Sequence, residues 1–221
     1  MRWRGPRPAR HWLAFGAALL LLATLASCGR EQRARRQTPP YQIGGAACLN
    51  ALAARGMRTE PWHEALRPRV GPACRIDTPV RAAAGRTMVF RPTLETSCAM
   101  LLAWSDLEPD LQRAAREHLK TSLRAVRHFG SHSCRGIGGN ARLPSLHATA
   151  RALDVAGFEF ADGRVVTVAK GWDDGSRAER RFLRAARDAA CRRLAMVLHP
   201  DSDRAHRDHL HVDLGPWKGC G

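Results

Sequence analysis

The sequence predicts an α+β domain in which a small antiparallel sheet is flanked by helices and stabilised by disulfide bonds. Segments with strand-like alternation lie among segments with helix start signals, without the regular βαβ order of a parallel sheet. About 180 residues, from Tyr41 to Gly221, are enough for one domain with its own core. Six cysteines fall in this stretch, an even number that suits three disulfides.

Residues 1–27 are organised like the signal peptide of a bacterial lipoprotein. Four arginines precede the apolar run Trp12–Ala26, which is shorter than the roughly 20 residues of a membrane span. Small residues lead to Cys28, where a lipoprotein is cleaved and lipidated; a plain signal peptide with an incidental cysteine is the alternative. We expect an exported protein, anchored by lipid in the cell envelope. Gly29, where aspartate often marks inner-membrane retention, favours the outer membrane facing the periplasm.

Residues 28–40 are polar and basic and end in Pro39-Pro40, as expected of a flexible tether. The domain that follows, residues 41–221, contains Cys48, Cys74, Cys98, Cys134, Cys191 and Cys220. Because the predicted compartment is oxidising, all six are expected in disulfides. Of fifteen possible arrangements, we predict Cys48–Cys74, Cys134–Cys191 and Cys98–Cys220. No Cys-x-x-Cys pair indicates a thiolate zinc site or a thioredoxin-like motif.

The formal net charge is +16, and nearly all of the positive charge is arginine. The basic residues are scattered and there is one tyrosine, so no nucleic-acid-binding motif emerges. Attraction to anionic envelope polymers is the functional interpretation, and an ordinary solvated surface is the alternative.

Local patterns predict the following elements. Helices are predicted over Ala46–Arg55, Ser97–Trp104, Pro109–Thr121 and, from a Ser176/Glu179 capping box, to about Leu194. Strands are predicted over Cys74–Val80, Arg86–Phe90, Ala152–Phe160, Val165–Val168, Ala195–Leu198 and His209–Leu214, with Ala152–Phe160 and Val165–Val168 forming a hairpin. Leu123–Cys134 is expected to be extended and Arg135–Pro144 to be a loop.

Two short stretches offer the chemistry of a site. In HLHVDL, from His209 to Leu214, alternation directs the apolar side chains to the core and places His209, His211 and Asp213 on the opposite face. Two histidines on one strand face make a metal-binding or acid–base pair, although a solvent-facing polar strand gives the same pattern. Asp154 lies among apolar residues, where a carboxylate needs a cation or an arginine partner. His147 alone would pass as a surface histidine.

The stretch from Ser145 to Asp154 resembles the Ser-x-His-x-x-Gly-x-Ala-x-Asp motif of zinc D-alanyl-D-alanine peptidases. Those enzymes form a group with lysostaphin-type endopeptidases and the hedgehog signalling domain, whose fold the resemblance implies here. It also implies a zinc site of His147, Asp154 and His211. Ala150 stands where the motif has glycine, which bears on the geometry of the loop.

From Cys48 to Cys220 the chain resembles the bacterial extensin-like C-terminal domain family. The resemblance rests on SHSCR from Ser131, SLHATARALDVAGF, the Asp-Gly hairpin, Trp172, the helix ending at Cys191, and HRDHLHVDL. No Pro/Ser-rich extensin repeat occurs. Because the family implies no defined reaction, the expected activity comes from the peptidase group.

The peptidase resemblance implies that zinc activates a water molecule for attack on a peptide carbonyl. His209 is the first candidate for general base or oxyanion stabiliser, His206 the second and Asp208 the third. Arg135 and Ser145 are the expected substrate-binding residues, since a guanidinium suits a carboxylate or carbonyl; a surface arginine is the alternative for Arg135.

Two functions are compatible with these patterns. One is a zinc peptidase, a carboxypeptidase or an endopeptidase, acting on peptidoglycan peptides. The other is a non-catalytic peptidoglycan-binding domain that keeps its metal as a structural clip. A metal position open to water and a usable base favour the first, whereas a fourth protein ligand favours the second.

Overall fold

A large mixed sheet, packed on one face by two helices, organises the described part of the chain. The computed structural model describes residues 41–62, 74–137 and 140–221. The predicted signal peptide, the tether and the lipidation residue Cys28 lie outside the described residues. Those described fall in one compact unit from Tyr41 to Gly221.

The helices and strands follow one another without βαβ repetition. The helices are α1 (Gly45–Ala54), α2 (Cys98–Leu119), α3 (Val168–Gly171) and α4 (Arg177–Arg193), with short 3₁₀ turns at Leu146–Thr149 and Arg204–His206. The strands are β1 (Glu60–Pro61), β2 (Pro79–Ala84), β3 (Val89–Ser97), β4 (Leu123–Gly130), β5 (Gly136–Ile137), β6 (Asn140–Pro144), β7 (Ala152–Phe160), β8 (Val165–Thr167), β9 (Met196–Leu198), β10 (Leu210–Asp213) and β11 (Gly219–Cys220).

Nine strands of the described chain form one sheet in the order β1-β2-β3-β4-β7-β10-β9-β11, with β8 beside β7. The pairs β3–β4 and β9–β11 are parallel, and the others are antiparallel. The predicted α+β class, with a sheet flanked by helices and with three disulfides, is confirmed; the sheet is mostly antiparallel, and at nine strands it is larger than the small sheet predicted. The prediction of a loop over Arg135–Pro144 is wrong, because β5 and β6 pair there as a small hairpin. Backbone pairing needs no apolar alternation, so composition did not show it.

Strand β7 lies at the centre of the architecture. β4 runs along one of its edges, while β10 and β8 share the other. The confirmed hairpin of β7 and β8 places Phe158 and Phe160 in the core, where each ring centroid lies 5.1 Å from that of Phe182 on α4. Burying three aromatic rings in edge-to-face contact is a large apolar contribution to the stability of this core.

The two helices predicted around Pro109 are one continuous helix, α2. Proline has no N–H for the carbonyl four residues earlier, which normally breaks a helix. Here that carbonyl belongs to Ser105, and Arg86 Nη1 donates a hydrogen bond to it at 3.5 Å. The replacement donor lies on another segment, so local sequence did not predict continuity. The capping box at Ser176 is confirmed at the start of α4, with both of its hydrogen bonds present.

All six cysteines of the domain form disulfides, as predicted, but the predicted pairing is wrong in all three bonds. The bonds are Cys48–Cys98, Cys74–Cys134 and Cys191–Cys220. Cys48 meets Cys98 because α1 packs against the start of α2, and Cys191 meets Cys220 because β11 pairs with β9, the strand that follows α4. Spacing along the chain carries no record of these contacts.

Within the residues described, no helix combines the length and the apolar character needed to cross a membrane.

Candidate metal centre

Two of the predicted metal ligands lie side by side on neighbouring strands. Asp154 of β7 and His211 of β10 are directly opposed in the antiparallel register. Opposed residues share one face of the sheet, with Cβ atoms about 5 Å apart. Leu210 and Val212 face the core on either side of His211, as the alternating pattern predicts. The register therefore brings together side chains that are 57 residues apart in sequence.

The third residue, His147, is presented by the 3₁₀ turn Leu146–Thr149. The Ser145 hydroxyl accepts a hydrogen bond from the His147 N–H at 3.3 Å and caps the turn. Ala150 ends the turn in the left-handed region, with φ of 50°. Its carbonyl accepts hydrogen bonds from Ser97 N–H and Oγ at 3.2 and 2.8 Å. The alanine that replaces the motif glycine thus adopts the conformation for which glycine is usually chosen.

The donor atoms of the three residues converge on one point. His211 Nδ1 lies 3.0 Å from Asp154 Oδ1, His147 Nε2 lies 3.2 Å from that oxygen, and the two nitrogens are 3.1 Å apart. Three ligands of a tetrahedral zinc ion, each about 2.0–2.2 Å from it, lie about 3.3–3.6 Å from one another. The observed donors need to spread by only a few tenths of an ångström. Among the described residues this trio can hold a metal ion.

A buried acceptor holds one ring nitrogen of each imidazole, so the other nitrogen faces that point and offers a lone pair when the imidazole is neutral, as it is in a metal complex. His147 Nδ1 lies 3.0 Å from the Ser131 carbonyl oxygen, which can only accept, so Nδ1 carries the proton and Nε2 is free to bind a metal. His211 Nε2 lies 3.3 Å from Asp213 Oδ2, and the same reasoning leaves His211 Nδ1 as the metal-binding atom. Metal-ligating histidines typically have such partners on the other ring nitrogen.

The cluster favours positive charge. Burial alone would lower the pKa of His211, but its hydrogen bonds to Asp154 and Asp213 outweigh burial and raise that pKa to about 9. Burial alone would raise the pKa of Asp154, but hydrogen bonds from His147 and His211 hold it well below its ordinary value. Both shifts have one cause, a carboxylate fixed against imidazole nitrogens in a largely buried place. A metal ion satisfies the same demand.

His209 lies beside the trio. Its Nε2 is 3.5 Å from Asp154 Oδ1, and its Nδ1 is 2.9 Å from Asp208 Oδ1. The Asp208 carboxylate accepts a hydrogen bond from His209 Nδ1–H, which turns the Nε2 lone pair toward the candidate metal site. Asp208, predicted as a third choice of base, is placed as the partner that orients His209. The ring of Phe129 stands edge-on to His209, with centroids 5.8 Å apart.

His206 lies close to both His209 and His211. Its ring centroid is 5.2 Å from that of His209 and 5.7 Å from that of His211. Its Nδ1 lies 2.8 Å from Asp203 Oδ1, so it forms a second histidine–aspartate pair in the same loop. Among the described residues, the group whose donor atoms all lie close enough to share a metal ion consists of His147, Asp154 and His211, and it does not include His206 or His209.

The predicted substrate-binding residues take two different positions. Ser145 is buried and caps the turn that carries His147. Arg135 has an exposed side chain, and its carbonyl accepts a hydrogen bond from the Ser145 N–H at 3.1 Å. A role for either residue in binding substrate stays a prediction.

Sequence reasoning missed four contributors, Ser131, Asp213, Asp203 and Phe129. Asp213 was placed on the right strand face but given no role, although a carboxylate two residues beyond a candidate ligand on that face was a usable signal. Asp203, three residues before His206, was a weaker one. Ser131 acts through its backbone carbonyl, which no side-chain pattern reports. Phe129 reaches His209 only because β4 lies beside β7.

Comparison with known proteins gives one match. The family model described as extensin-like protein C-terminus matches residues 46–221. No curated protein and no solved structure matches the chain. The matched stretch contains the whole candidate metal centre and all six disulfide-bonded cysteines. Since it covers well over half of the sequence, the chain belongs to the extensin-like protein C-terminus family.

Proposed function

We propose that the protein is a zinc-dependent peptidase that acts on peptidoglycan peptides at the cell envelope. The observation that carries this proposal is the convergence of His147, Asp154 and His211, with donor atoms 3.0–3.2 Å apart. Beside them, His209 is oriented by Asp208 and is not one of the trio. Three protein ligands with a neighbouring base are the pattern of a catalytic metal site.

The donor set suits zinc. Two imidazole nitrogens and one carboxylate oxygen form one of the ligand sets of catalytic zinc proteins, and both imidazoles have an acceptor on the other ring nitrogen. A bound zinc ion would polarise a peptide carbonyl and lower the pKa of a water molecule.

The residues of the chain supply the proton transfers. His209 Nε2 can take a proton from the attacking water and return it to the departing amine, while Asp208 accepts from Nδ1 and keeps the ring in one orientation. Phe129 covers one side of the His209 ring and reduces its exposure to water. His206 is fixed by Asp203 and lines the same end of the site.

The cellular setting supports wall peptides as substrate. The N-terminal signals predict export and lipid attachment at Cys28, and three disulfides suit an oxidising compartment. Peptidoglycan is the peptide-containing polymer of that compartment. The high arginine content favours contact with its carboxylates.

One observation favours the second candidate, a non-catalytic, metal-containing peptidoglycan-binding domain. His209 Nε2 lies only 3.5 Å from Asp154 Oδ1, close to the spacing of two ligands of one ion. A small rotation could make His209 a fourth ligand, which would close the site to water and leave a structural metal.

The test combines metal analysis with a digestion assay. The purified full chain should contain one zinc ion, and His147→Ala, Asp154→Ala and His211→Ala should each lose most of it. The zinc-loaded protein should release products from purified muropeptides. Zinc-loaded protein that binds peptidoglycan but yields no product from any stem peptide or crosslink would establish the binding domain instead. A zinc-free wild type that is indistinguishable from the three variants would exclude both functions.

A further inference from the structure

A groove of about 550 Å³ runs over the open face of the sheet beside the metal centre. Its walls and floor include Arg91 of β3, Arg127 and Phe129 of β4, Ala156 of β7, Lys170 of α3 and Asp208. The function proposed above does not use most of these residues. Their location on four different elements makes the groove a product of the fold.

The groove is continuous with the candidate catalytic residues. Ala156 is two residues beyond Asp154 on β7, and residues two apart on a strand share one face. Asp208 lines the groove and also accepts the hydrogen bond from His209. Phe129, 63% exposed, lines it and contacts the His209 ring. A chain lying in the groove would reach the metal donors at one end.

The far end of the groove is positively charged. Arg91 and Arg127 are register partners on β3 and β4. Each contacts Glu159 through Nε, one to each carboxylate oxygen and both at 3.0 Å. Lys170 adds a third cation to the lining of the groove. Among the described residues, none accepts a hydrogen bond from the terminal nitrogens of either guanidinium, so both can still bind an anion.

The register gives the backbone spacing between Arg127 and the candidate metal ligand Asp154. Arg127 pairs with Gly157, three residues along β7 from Asp154. At about 3.3 Å per residue this is about 10 Å, which an extended peptide also covers in about three residues.

We infer that the groove holds an extended segment of the substrate peptide and that Arg91 and Arg127 bind a free carboxylate on it, about three residues from the bond to be cleaved. This inference rests on the proposed function for the position of the reacting bond. Glu159 already shows that the guanidinium pair accommodates a carboxylate. Planar guanidinium groups also match a carboxylate through two parallel hydrogen bonds.

The test measures binding without turnover. The ligands would be two peptides that differ only in having glutamate or glutamine three residues from the cleavable bond. A reduced amide would replace that bond so that it cannot be hydrolysed. Each peptide would be prepared once with L-residues and once with D-residues. Calorimetry with the zinc-loaded full chain should show about 10- to 100-fold tighter binding of one glutamate peptide than of its glutamine analogue, the effect of a hydrogen-bonded charge. Arg91→Gln with Arg127→Gln should abolish this preference. Arg124→Gln, an exposed arginine of the same strand outside the groove, should preserve it.

Three results would overturn the inference: equal affinity for both peptides in the wild type, a preference that survives the double substitution, or an equal loss in Arg124→Gln. If a phosphorylated saccharide binds more tightly than either peptide and loses this affinity in the double variant, the groove belongs to an anionic glycan and the inference also fails. The proposed function is judged separately by muropeptide digestion. Digestion without a glutamate preference refutes only the groove assignment, and the preference without digestion refutes only the peptidase.

Discussion

The substitution Asp213→Asn tests the inner architecture of the metal centre. Asp213 is buried, its Oδ2 lies 3.3 Å from His211 Nε2, and its Oδ1 accepts a hydrogen bond from the Gly215 N–H at 2.9 Å. Asparagine has nearly the same shape but only one side-chain oxygen. That oxygen can accept a hydrogen bond from His211 or from Gly215, but not from both. The substitution therefore removes the negative charge behind His211 with little change in packing.

We expect zinc affinity to fall by about tenfold, the lower end of the 10- to 100-fold effect typical of residues behind a metal ligand. The lower end follows from the long 3.3 Å contact, which is weaker than an ideal charge-assisted hydrogen bond. Tenfold corresponds to about 1.4 kcal/mol. Competition against a chelator of known zinc affinity, at fixed pH and salt, measures the change.

Asp208→Asn is the matched control, because Asp208 faces His209 instead of a metal ligand. It should leave zinc affinity within about twofold and lower the rate of peptide cleavage, as expected for loss of a group that orients a base. If Asp213→Asn binds zinc as tightly as the wild type while its circular dichroism spectrum is unchanged, His211 does not bind through Nδ1 with Asp213 behind it. If Asp208→Asn loses zinc, His209 belongs to the ligand set and the site is closed.

Three further predictions follow from other residues. His209→Ala should retain zinc and lower turnover by about 10²–10⁴-fold, the range for a lost acid–base group, and a loss of metal would contradict this. Ala150→Gly should change the free energy of unfolding by less than about 1 kcal/mol, because relief of the left-handed strain offsets the lost burial. Ala150→Val should lower the free energy of unfolding by more, because a β-branched residue resists the left-handed conformation. Urea titration of both variants compares the two changes. Burial alone would raise the pKa of Asp110, but Arg193 and Arg113 hold that pKa below its ordinary value. The ionised carboxylate therefore contributes its full stabilisation above the unfolded pKa near 4, and this stabilisation is lost as pH falls through the folded pKa. Asp110→Asn should therefore cost about 1–2 kcal/mol at pH 7 and less at pH 2, and an equal cost at both pH values would refute the sign.

Much of the fold could be predicted from local pattern. Alternation identified β10, the Asp162-Gly163 turn identified the hairpin of β7 and β8, and the Ser176/Glu179 pair located the start of α4. These elements depend on periods of two and 3.6 residues and on capping, which short stretches of sequence carry. The continuity of α2 through Pro109 was not predictable in this way, because the donor that replaces the missing N–H is Arg86, on a different segment.

The same distinction between local pattern and tertiary contact applies to the candidate site. Imidazole and carboxylate side chains at His147, Asp154 and His211 were recognisable by residue type and spacing. Their convergence depends on the register of β7 with β10 and on the 3₁₀ turn, and the orientation of each ring depends on Ser131 and Asp213. Neither the strand register nor the Ser131 backbone carbonyl leaves a mark in the spacing of a motif, whereas Asp213, two residues after His211 on the same strand, could have been recognised.

By itself, the sequence determined the class of the fold, the number of disulfide-bonded cysteines, the residue types of the site and the family. Only the tertiary structure decided which cysteines pair, that the donor atoms of His147, Asp154 and His211 converge, and that Arg91 and Arg127 lie side by side in one groove. The physical reason is that residue type and short-range pattern act within a few residues of each other. Disulfide pairing, the contact between Asp154 and His211 and the proximity of the two arginines depend instead on contacts between residues 29 to 60 positions apart. The orientation of the His147 ring depends on Ser131, 16 positions away, and all of these contacts exist only once the sheet and helices have packed.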